Sequence, residues 1–202
     1  MHRVIEPKIL YFGTPVVLIS TLNEDGSFNL APISSAWWLD QFCMVGMGTS
    51  SKTVENLRRE GECVLNLPSS DMVTAVDHLA LTTGKNPVPA HKTEMGFRYE
   101  NHKFEHAGLT AVNANLVAAP RVVECPVQLE AVVKNMHPFG PGGNYVVSIE
   151  LEIIRTHIAE DILNDATRHY IDPDKWKPLI MSFCEFYGVG EKLHPSKLAQ
   201  VF

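Results

Sequence analysis

The stretch PVVLISTLNEDGSFNLAPISSAWW, residues 15–38, carries the patterns that decide the fold. Its first eight residues form an apolar, β-branched run that is typical of a strand. Asp25-Gly26 follows, and glycine readily takes the positive φ that a tight hairpin turn requires. Residues 28–38 form the predicted returning strand. Pro32 has no N–H to donate, which indicates an edge position or a bulge in that strand.

Four further strands are predicted outward from this hairpin. They cover residues 42–48, residues 63–68, residues 121–136 with a break at Pro126, and residues 145–157. The last two are joined by the Gly/Pro-rich peptide HPFGPGGN.

Helical signals are fewer than strand signals. Val54 and Leu57 have helical spacing, with Ser51 as a suitable N-cap and Gly61 as a suitable C-cap. A short helix is predicted over residues 71–81, closed by Gly84. The pair Asp172-Pro173 is a favourable helix start, so a C-terminal helix reaching about Phe186 is predicted.

Together these elements predict a mainly β fold with appended helices. Six strands joined largely by hairpins, with one helix after the third, favour a small closed antiparallel barrel over a doubly wound parallel sheet. One domain is expected over residues 1–202, with its barrel core at about 10–160 and a helical tail at about 161–202. The polar, turn-rich residues 85–108 are expected to form a surface excursion.

Composition excludes several classes of protein. The chain is 45% hydrophobic and 20% charged, as expected for a globular domain, and its net charge of −6 argues against nucleic acid as a partner. Residues 1–20 contain no uninterrupted apolar span, so no signal peptide or membrane segment is expected there and a cytoplasmic location is predicted. The four cysteines are widely separated among apolar residues and are expected to be reduced packing residues: Cys43, Cys63, Cys125 and Cys184.

The stretch GMGTSSKT, residues 46–53, is one residue short of a Walker A loop, because Ser51 stands in place of the second glycine. A nucleotide triphosphate site is therefore disfavoured. Several hydroxyls and the Lys52 ammonium nevertheless precede a predicted helix start, where free N–H groups and a partial positive charge favour a phosphate monoester. On these residues alone, a phosphate site and a simple helix N-cap in a polar turn are equally good interpretations.

Several motifs in order resemble the flavin reductase-like proteins, the FMN-binding split barrels that include flavoredoxins. They are N-x-A-P-x-S-S on the second strand, S-K-T-x-x-N-L after the third and E-C-V-x-N-L at the fourth. The resemblance continues more loosely through NPVPAHKTEMGF, APRVVECPVQLEAVV and YIDPDKWKPL, and it covers residues 15–179. The chain departs from the family pattern after Pro178-Leu179, where the arginine that many members carry is absent, so we assign this tail no role beyond packing and dimer contact.

The resemblance implies a six-stranded antiparallel Greek-key split barrel that binds FMN. It places the flavin ring along Asn29, Ala31, Ser34 and Ser35, and the flavin phosphate at Thr49, Ser50, Ser51, Lys52 and Thr53. It also implies a homodimer with the flavin at the subunit interface. No metal and no catalytic side chain are expected, because the cofactor carries the chemistry.

The activity implied is an NAD(P)H-dependent flavin reductase or related oxidoreductase, with the final electron acceptor or a partner monooxygenase unidentified. An alternative is an FMN-binding electron carrier, store or sensor without a nicotinamide site. A third is a split barrel that holds haem or pyridoxal phosphate.

A few other residues have competing interpretations. His102 and His106 have metal-ligand spacing but no third ligand. His157 is expected to be a histidine at the end of a strand rather than a catalytic acid. Trp37 and Trp38 face opposite ways on a strand, so one is expected in the core and the other at a subunit contact. A lid that recognises a nicotinamide phosphate, or a solvated loop, would account for the following polar residues of the excursion: His91, Lys92, Arg98, Tyr99 and Lys103.

Overall fold

A computed structural model describes residues 1–140, 145–166 and 169–200 of the chain. The strands in those ranges are β1 (Phe12–Pro15), β2 (Val17–Leu22), β3 (Phe28–Ile33), β4 (Ala36–Leu39), β5 (Phe42–Gly48), β6 (Glu62–Leu67), β7 (Thr82–Thr83), β8 (Arg98–Tyr99), β9 (Ala111–Val112), β10 (Arg121–Val122), β11 (Val127–Phe139), β12 (Val146–Ile158), β13 (Leu179–Ser182) and β14 (Glu185–Gly188). The α-helices are α1 (Lys52–Glu60), α2 (Val73–His78), α3 (Ala90–Glu94) and α4 (Lys103–Ala107). Short 3₁₀ turns cover Ser70–Met72, Glu160–Ile162 and Lys197–Gln200.

One antiparallel sheet of seven strands dominates the fold, in the order β3-β2-β6-β11-β12-β5-β4. This confirms the mainly β, antiparallel prediction. The six predicted strands become seven because the segment 28–38 is divided into β3 and β4, which lie at opposite edges of the sheet. Only Ser34 and Ser35 connect those edges, so the sheet curls until its edges are close together.

The prediction of a closed barrel is wrong. Among the described strands, no ladder joins β3 to β4. At the junction, the Gly46 N–H donates to the Ser35 carbonyl oxygen at 2.8 Å, which extends the β4–β5 ladder and does not join β3 to β4. Pro32 lies in the edge strand β3, as predicted, where it cannot donate to a further strand. The barrel is therefore split between its edge strands, β3 and β4.

Strand β2 lies between two cores, which explains its uninterrupted apolar sequence. Val17 and Ile19 pack into a cluster with residues of β5, β6 and β12. Leu18 and the preceding Val16 pack on the opposite side, with Leu79 among others. The sheet thus carries apolar layers on both faces at this strand.

The local signals around α1 are confirmed. The helix begins after Ser51, whose Oγ accepts the Val54 N–H at 3.1 Å, and it ends at Gly61 with a φ of +71°. Val54 and Leu57 are buried in the core, as their spacing predicts. The hairpin before it is also confirmed, with Gly26 at a φ of +81°.

The excursion at residues 85–108 contains more structure than predicted. It includes α3, β8 and α4, and Phe104 and Ala107 of α4 are buried in the second core. Each helix has only five residues, too short to show a clear helical period in the sequence. The helix predicted at residues 71–81 is present as a 3₁₀ turn followed by α2, and α2 ends earlier, at His78.

The prediction of a C-terminal helix from Asp172 is wrong, and the described residues of the predicted helical tail at 161–202 form no α-helix. Asp172 starts a single turn, in which its carbonyl oxygen accepts the Trp176 N–H at 2.9 Å. Pro178 cannot continue a helix, because it lacks an N–H and restricts the residue before it. The chain then forms the hairpin β13–β14, and β13 also pairs with β1. The segment predicted to be helical therefore forms strands, and one of them pairs with the edge of β1.

Three of the four cysteines pack as predicted and one does not. Cys43, Cys63 and Cys125 are buried free thiols, and burial raises the pKa of Cys43 to about 12. Cys184 is exposed in the turn between β13 and β14, with a φ of +65°. The predicted helix does not form there, and the turn that replaces it leaves Cys184 at the surface.

The paired tryptophans divide as their alternation predicts. Trp38 packs against the core, whereas Trp37 is 57% exposed.

Within the described ranges, no helix is long and apolar enough to cross a membrane. In the same ranges no group of three histidine, cysteine or acidic side chains is arranged to hold a metal ion, and His106 Nε2 lies 3.1 Å from Arg98.

Candidate functional site

A cavity of about 610 Å³ lies at the split in the barrel, a volume within the range of small-molecule sites. Its walls come from the β3–β4 junction, the end of β5, the start of α1, the segment from α2 to α4 and the C-terminal hairpin. The first two walls exist only because the sheet curls and fails to close. The site and the split are thus one feature of the fold.

Most residues predicted to bind the flavin surround this cavity. Those that line it are Asn29, Ala31, Ser34, Ser35, Ser51, Lys52 and Thr53. Thr49 and Ser50 lie just before α1, outside the lining, and Ser50 Oγ is 3.3 Å from His91 Nε2. The structure therefore brings the strand motif and the helix motif together, and the role of each residue stays a prediction.

Asn29 is held rigidly in the cavity wall. It is 2% exposed, and its Nδ2 donates to Thr53 Oγ1 at 3.0 Å and to Thr21 Oγ1 at 3.3 Å. Its Oδ1 lies 2.9 Å from the point where a Cβ on Gly84 would be, so only glycine allows this approach without a shift. Asn29 therefore presents a preorganised amide oxygen beside the start of α1.

The start of α1 offers backbone donors to the cavity. Ser51 caps the Val54 N–H with its hydroxyl, and it leaves the N–H groups of Lys52 and Thr53 without a carbonyl partner in a preceding helical turn. Both residues line the cavity. The helix dipole adds partial positive charge at the same point.

The ammonium of Lys52, a residue that lines the cavity, is already paired with carboxylates. Its Nζ lies 2.5 Å from Glu55 Oε1 and 3.2 Å from Glu24 Oε1. Lys85 also binds Glu55, through the other carboxylate oxygen. The predicted phosphate lysine is therefore already paired at the rim.

Two lysines of the excursion line the cavity instead. Lys103 is only 3% exposed, and no hydrogen bond or ion pair involves its ammonium within the described part of the chain. Burial, and then the charge of Lys92, lower the pKa of Lys103 to about 8 although Glu100 opposes the shift. Burial followed by the charge of Lys85 likewise lowers the pKa of Lys92. Of the five residues suggested as a lid, only these two reach the cavity.

The apolar wall was missed by sequence reasoning. It is formed by Val76, Leu79, Leu81, Met95, Phe97, Met181 and Phe186, together with Val16 and Met47. Apart from Val16 and Met47, which lie in predicted strands, these side chains come from separate segments whose patterns predict only helix, loop or tail. No local signal in the sequence connects them, because their proximity depends on the C-terminal hairpin and the excursion.

His157 has a structural environment away from this cavity. Its Nε2 lies 2.6 Å from Glu130 Oε1, and neither residue lines the cavity. Glu130 is fully buried and also accepts backbone N–H groups of residues 115–117. The expectation of a strand-end histidine agrees with this position.

The fold and the site together define a split-barrel protein with a cofactor-sized cavity at the split. The chain belongs to the flavin reductase like domain family, whose sequence model matches residues 9–173. It is 38% identical over 189 residues to the Bacillus subtilis (strain 168) protein YdfE, covering 94% of this chain and 90% of that protein.

Solved structures agree with this fold. Flavoredoxin of Desulfovibrio vulgaris (Miyazaki F) superposes with a TM-score of 0.79 at 23% identity, covering 99% of this chain and 100% of the other. A protein with a split barrel domain from Shewanella frigidimarina NCIMB 400 gives a TM-score of 0.71 at 18% identity, covering 91% and 85%. The predicted family and fold are confirmed, and family membership supports a flavin cofactor and a flavin-reductase type of protein.

Proposed function

We propose that this protein binds FMN in the cavity at the split and acts as an NAD(P)H-dependent flavin oxidoreductase. The observation that carries the proposal is the meeting, in one cavity, of a polar strand edge, a helix N-terminus and an extensive apolar wall. A flavin needs all three, since its ring has a polar edge and flat apolar faces while its side chain ends in a phosphate.

The residues present fit FMN. The ring would lie along β3 and the β3–β4 junction, where Asn29 supplies a buried amide oxygen and Ala31, Ser34 and Ser35 allow close approach. The phosphate would accept the N–H groups of Lys52 and Thr53 at the start of α1. Lys103 supports an anionic ligand, because a buried ammonium without a carboxylate partner gains most from one.

The protein's own part in the reaction is to position and shield. Bound FMN would supply the hydride- and electron-transfer chemistry of the proposed reaction. The apolar side chains of α2, the excursion and the C-terminal hairpin would exclude water from the ring. The proposed reaction needs no nucleophile or general acid from the protein, and His157 is given no part in it.

Homodimerisation is part of the proposal. A stripe of exposed apolar side chains crosses the outer strands, and it includes Trp37, Leu39, Phe42, Phe139 and Val146. The cross-strand pairs Leu39–Phe42 and Gly48–Val146 place this stripe on the same face as Gly46 and Gly48, which line the cavity. A second copy covering the stripe would therefore border the flavin.

A cytoplasmic location stays a prediction.

The activity is tested with the visible spectrum of the protein plus FMN, recorded anaerobically before and after NADH and then NADPH. We expect a perturbed flavin spectrum that bleaches rapidly with at least one nucleotide. A perturbed spectrum that never bleaches would favour the carrier, store or sensor. Failure of FMN to bind at all would refute the site.

The phosphate position is tested with two matched variants, Ser51→Asn and Ser51→Asp. Both side chains are good N-caps, so α1 should be retained in each. Only aspartate adds a negative charge beside the phosphate, and we expect it to weaken FMN about tenfold or more while riboflavin binding is unchanged. Equal FMN affinities for the two variants, measured by flavin fluorescence, would move the phosphate away from α1.

A further inference from the structure

A single carboxylate binds two lysines, Lys52 and Lys85, at the rim of the cavity. Glu55, in the first turn of α1, accepts Lys52 at 2.5 Å through Oε1 and Lys85 through Oε2. Its side chain is one-third exposed, at 34%. A second carboxylate, Glu24, lies 3.2 Å from Lys52 Nζ.

Both lysines arise from positions that border the cavity. Lys52 lines it, and its Cβ and Cγ lie 3.2 and 3.1 Å from the point where a Cβ on Gly84 would be. Lys85 follows Gly84 directly, and its N–H donates to Thr83 Oγ1 at 3.2 Å. Thr83 and Gly84 also line the cavity. Both lysines are therefore attached close to the cavity, and it is their pairing with Glu55 that keeps the two ammonium groups at its rim.

We propose that Glu55 competes with the ligand's phosphate for Lys52 and Lys85 and thereby keeps the flavin exchangeable. The inference deepens the proposed function and depends on it. A partly exposed ion pair contributes little net stability, so it can be exchanged for a phosphate partner. Lysine suits such an exchange, because its charge sits on a flexible stem. The carboxylate also lies within one helical turn of the donors at the start of α1, where it repels a phosphate dianion.

The decisive variant is E55Q, compared with E60Q as a matched control. Glu60 lies on the same helix and binds Arg59 at 2.6 Å, so its change alters net charge equally while leaving the rim lysines paired. We expect E55Q to lower the dissociation constant for FMN about tenfold, the change expected from one added charge-assisted hydrogen bond, and to slow flavin release. Riboflavin affinity should stay unchanged in both variants.

A double-variant cycle identifies the lysine that is released. Lys85→Met should have little effect on FMN affinity beside wild-type Glu55, but it should remove part of the gain in the E55Q background. E24Q removes one of the two carboxylate partners of Lys52 and leaves Glu55 in place. It should give a smaller gain in the same direction and serves if E55Q fails to fold. Inorganic phosphate should compete with FMN more strongly in E55Q than in E60Q.

The outcomes separate this inference from the proposed function. If the wild type binds neither FMN nor riboflavin, the flavin site itself is refuted, and Glu55 has no phosphate to compete with. If the wild type binds both and E55Q matches E60Q, the site stands and competition by Glu55 is overturned. A rise in riboflavin affinity as large as that for FMN would also overturn it, since the effect would not involve the phosphate.

Discussion

Replacing Glu130 by glutamine tests how a buried carboxylate supports this barrel. Glu130 lies in β11, is fully buried and accepts three backbone N–H groups, from Asn115 at 3.0 Å, Leu116 at 2.6 Å and Val117 at 3.2 Å. His157 Nε2 lies 2.6 Å from the same carboxylate. These contacts tie residues 115–117 to the sheet, where Val117 packs against Val64.

The expected cost follows from the number of donors. A glutamine of the same shape keeps one acceptor oxygen, and its amide N–H₂ must face donors at the other position. Two charge-assisted hydrogen bonds are lost, which corresponds to about 3–5 kcal/mol of unfolding free energy. For a domain of this size the melting temperature should fall by roughly 10 °C.

Urea unfolding at neutral pH and one fixed protein concentration measures this loss. The matched control is Glu152→Gln on β12, because Glu152 forms a half-exposed pair with Lys134 at 2.9 Å. That change should cost less than about 1 kcal/mol. If the two variants lose the same stability, the buried network does not hold the segment as argued.

The pH dependence gives a second check on Glu130. Burial by itself raises the pKa of this carboxyl, but hydrogen bonds from His157 and from the N–H groups of Asn115 and Leu116 outweigh it and hold the pKa below its usual 4.5. The ionised form is therefore favoured by folding, and its contribution is present above pH 4.5 and lost as the pH falls through the folded-state value. The stability gap between wild type and E130Q should narrow in that acid range. A constant gap would contradict an ionised Glu130.

Two further substitutions probe the cavity. Lys103→Met should weaken FMN about tenfold and leave riboflavin unchanged, since it removes one charge-assisted contact. Because the pKa of Lys103 is lowered to about 8, wild-type FMN affinity should fall above that pH while the variant shows a flat profile; parallel profiles in fluorescence titrations would contradict this contact. Gly84→Ala places a Cβ 2.9 Å from the oxygen of the immobilised Asn29, which should cost about 1–3 kcal/mol and weaken flavin binding. Gly190→Ala, where a Cβ meets nothing within 4 Å, should change neither property, and equal effects would refute the steric argument.

Local sequence patterns determined much of the β framework. The Asp25-Gly26 turn, the caps of α1 and the alternation that separates Trp37 from Trp38 each depend on neighbouring residues, so short windows were sufficient. The order of motifs along the chain also identified the family and most of the polar cavity wall. In each case the information lies in contiguous residues and in the backbone preferences they impose.

Tertiary structure decided the features that depend on distant partners. Residues 28–38 become two strands only because the sheet curls, and the C-terminal segment becomes β13 and β14 because the edge of β1 is available to pair with it. The burial of Lys103 and the pairing of Lys85 with Glu55, which lie in distant segments of the chain, likewise arise from chain segments meeting in space. A short window of sequence contains neither the partner strand nor the countercharge. The polar half of the site was therefore predictable, whereas its apolar wall and the state of its lysines were not.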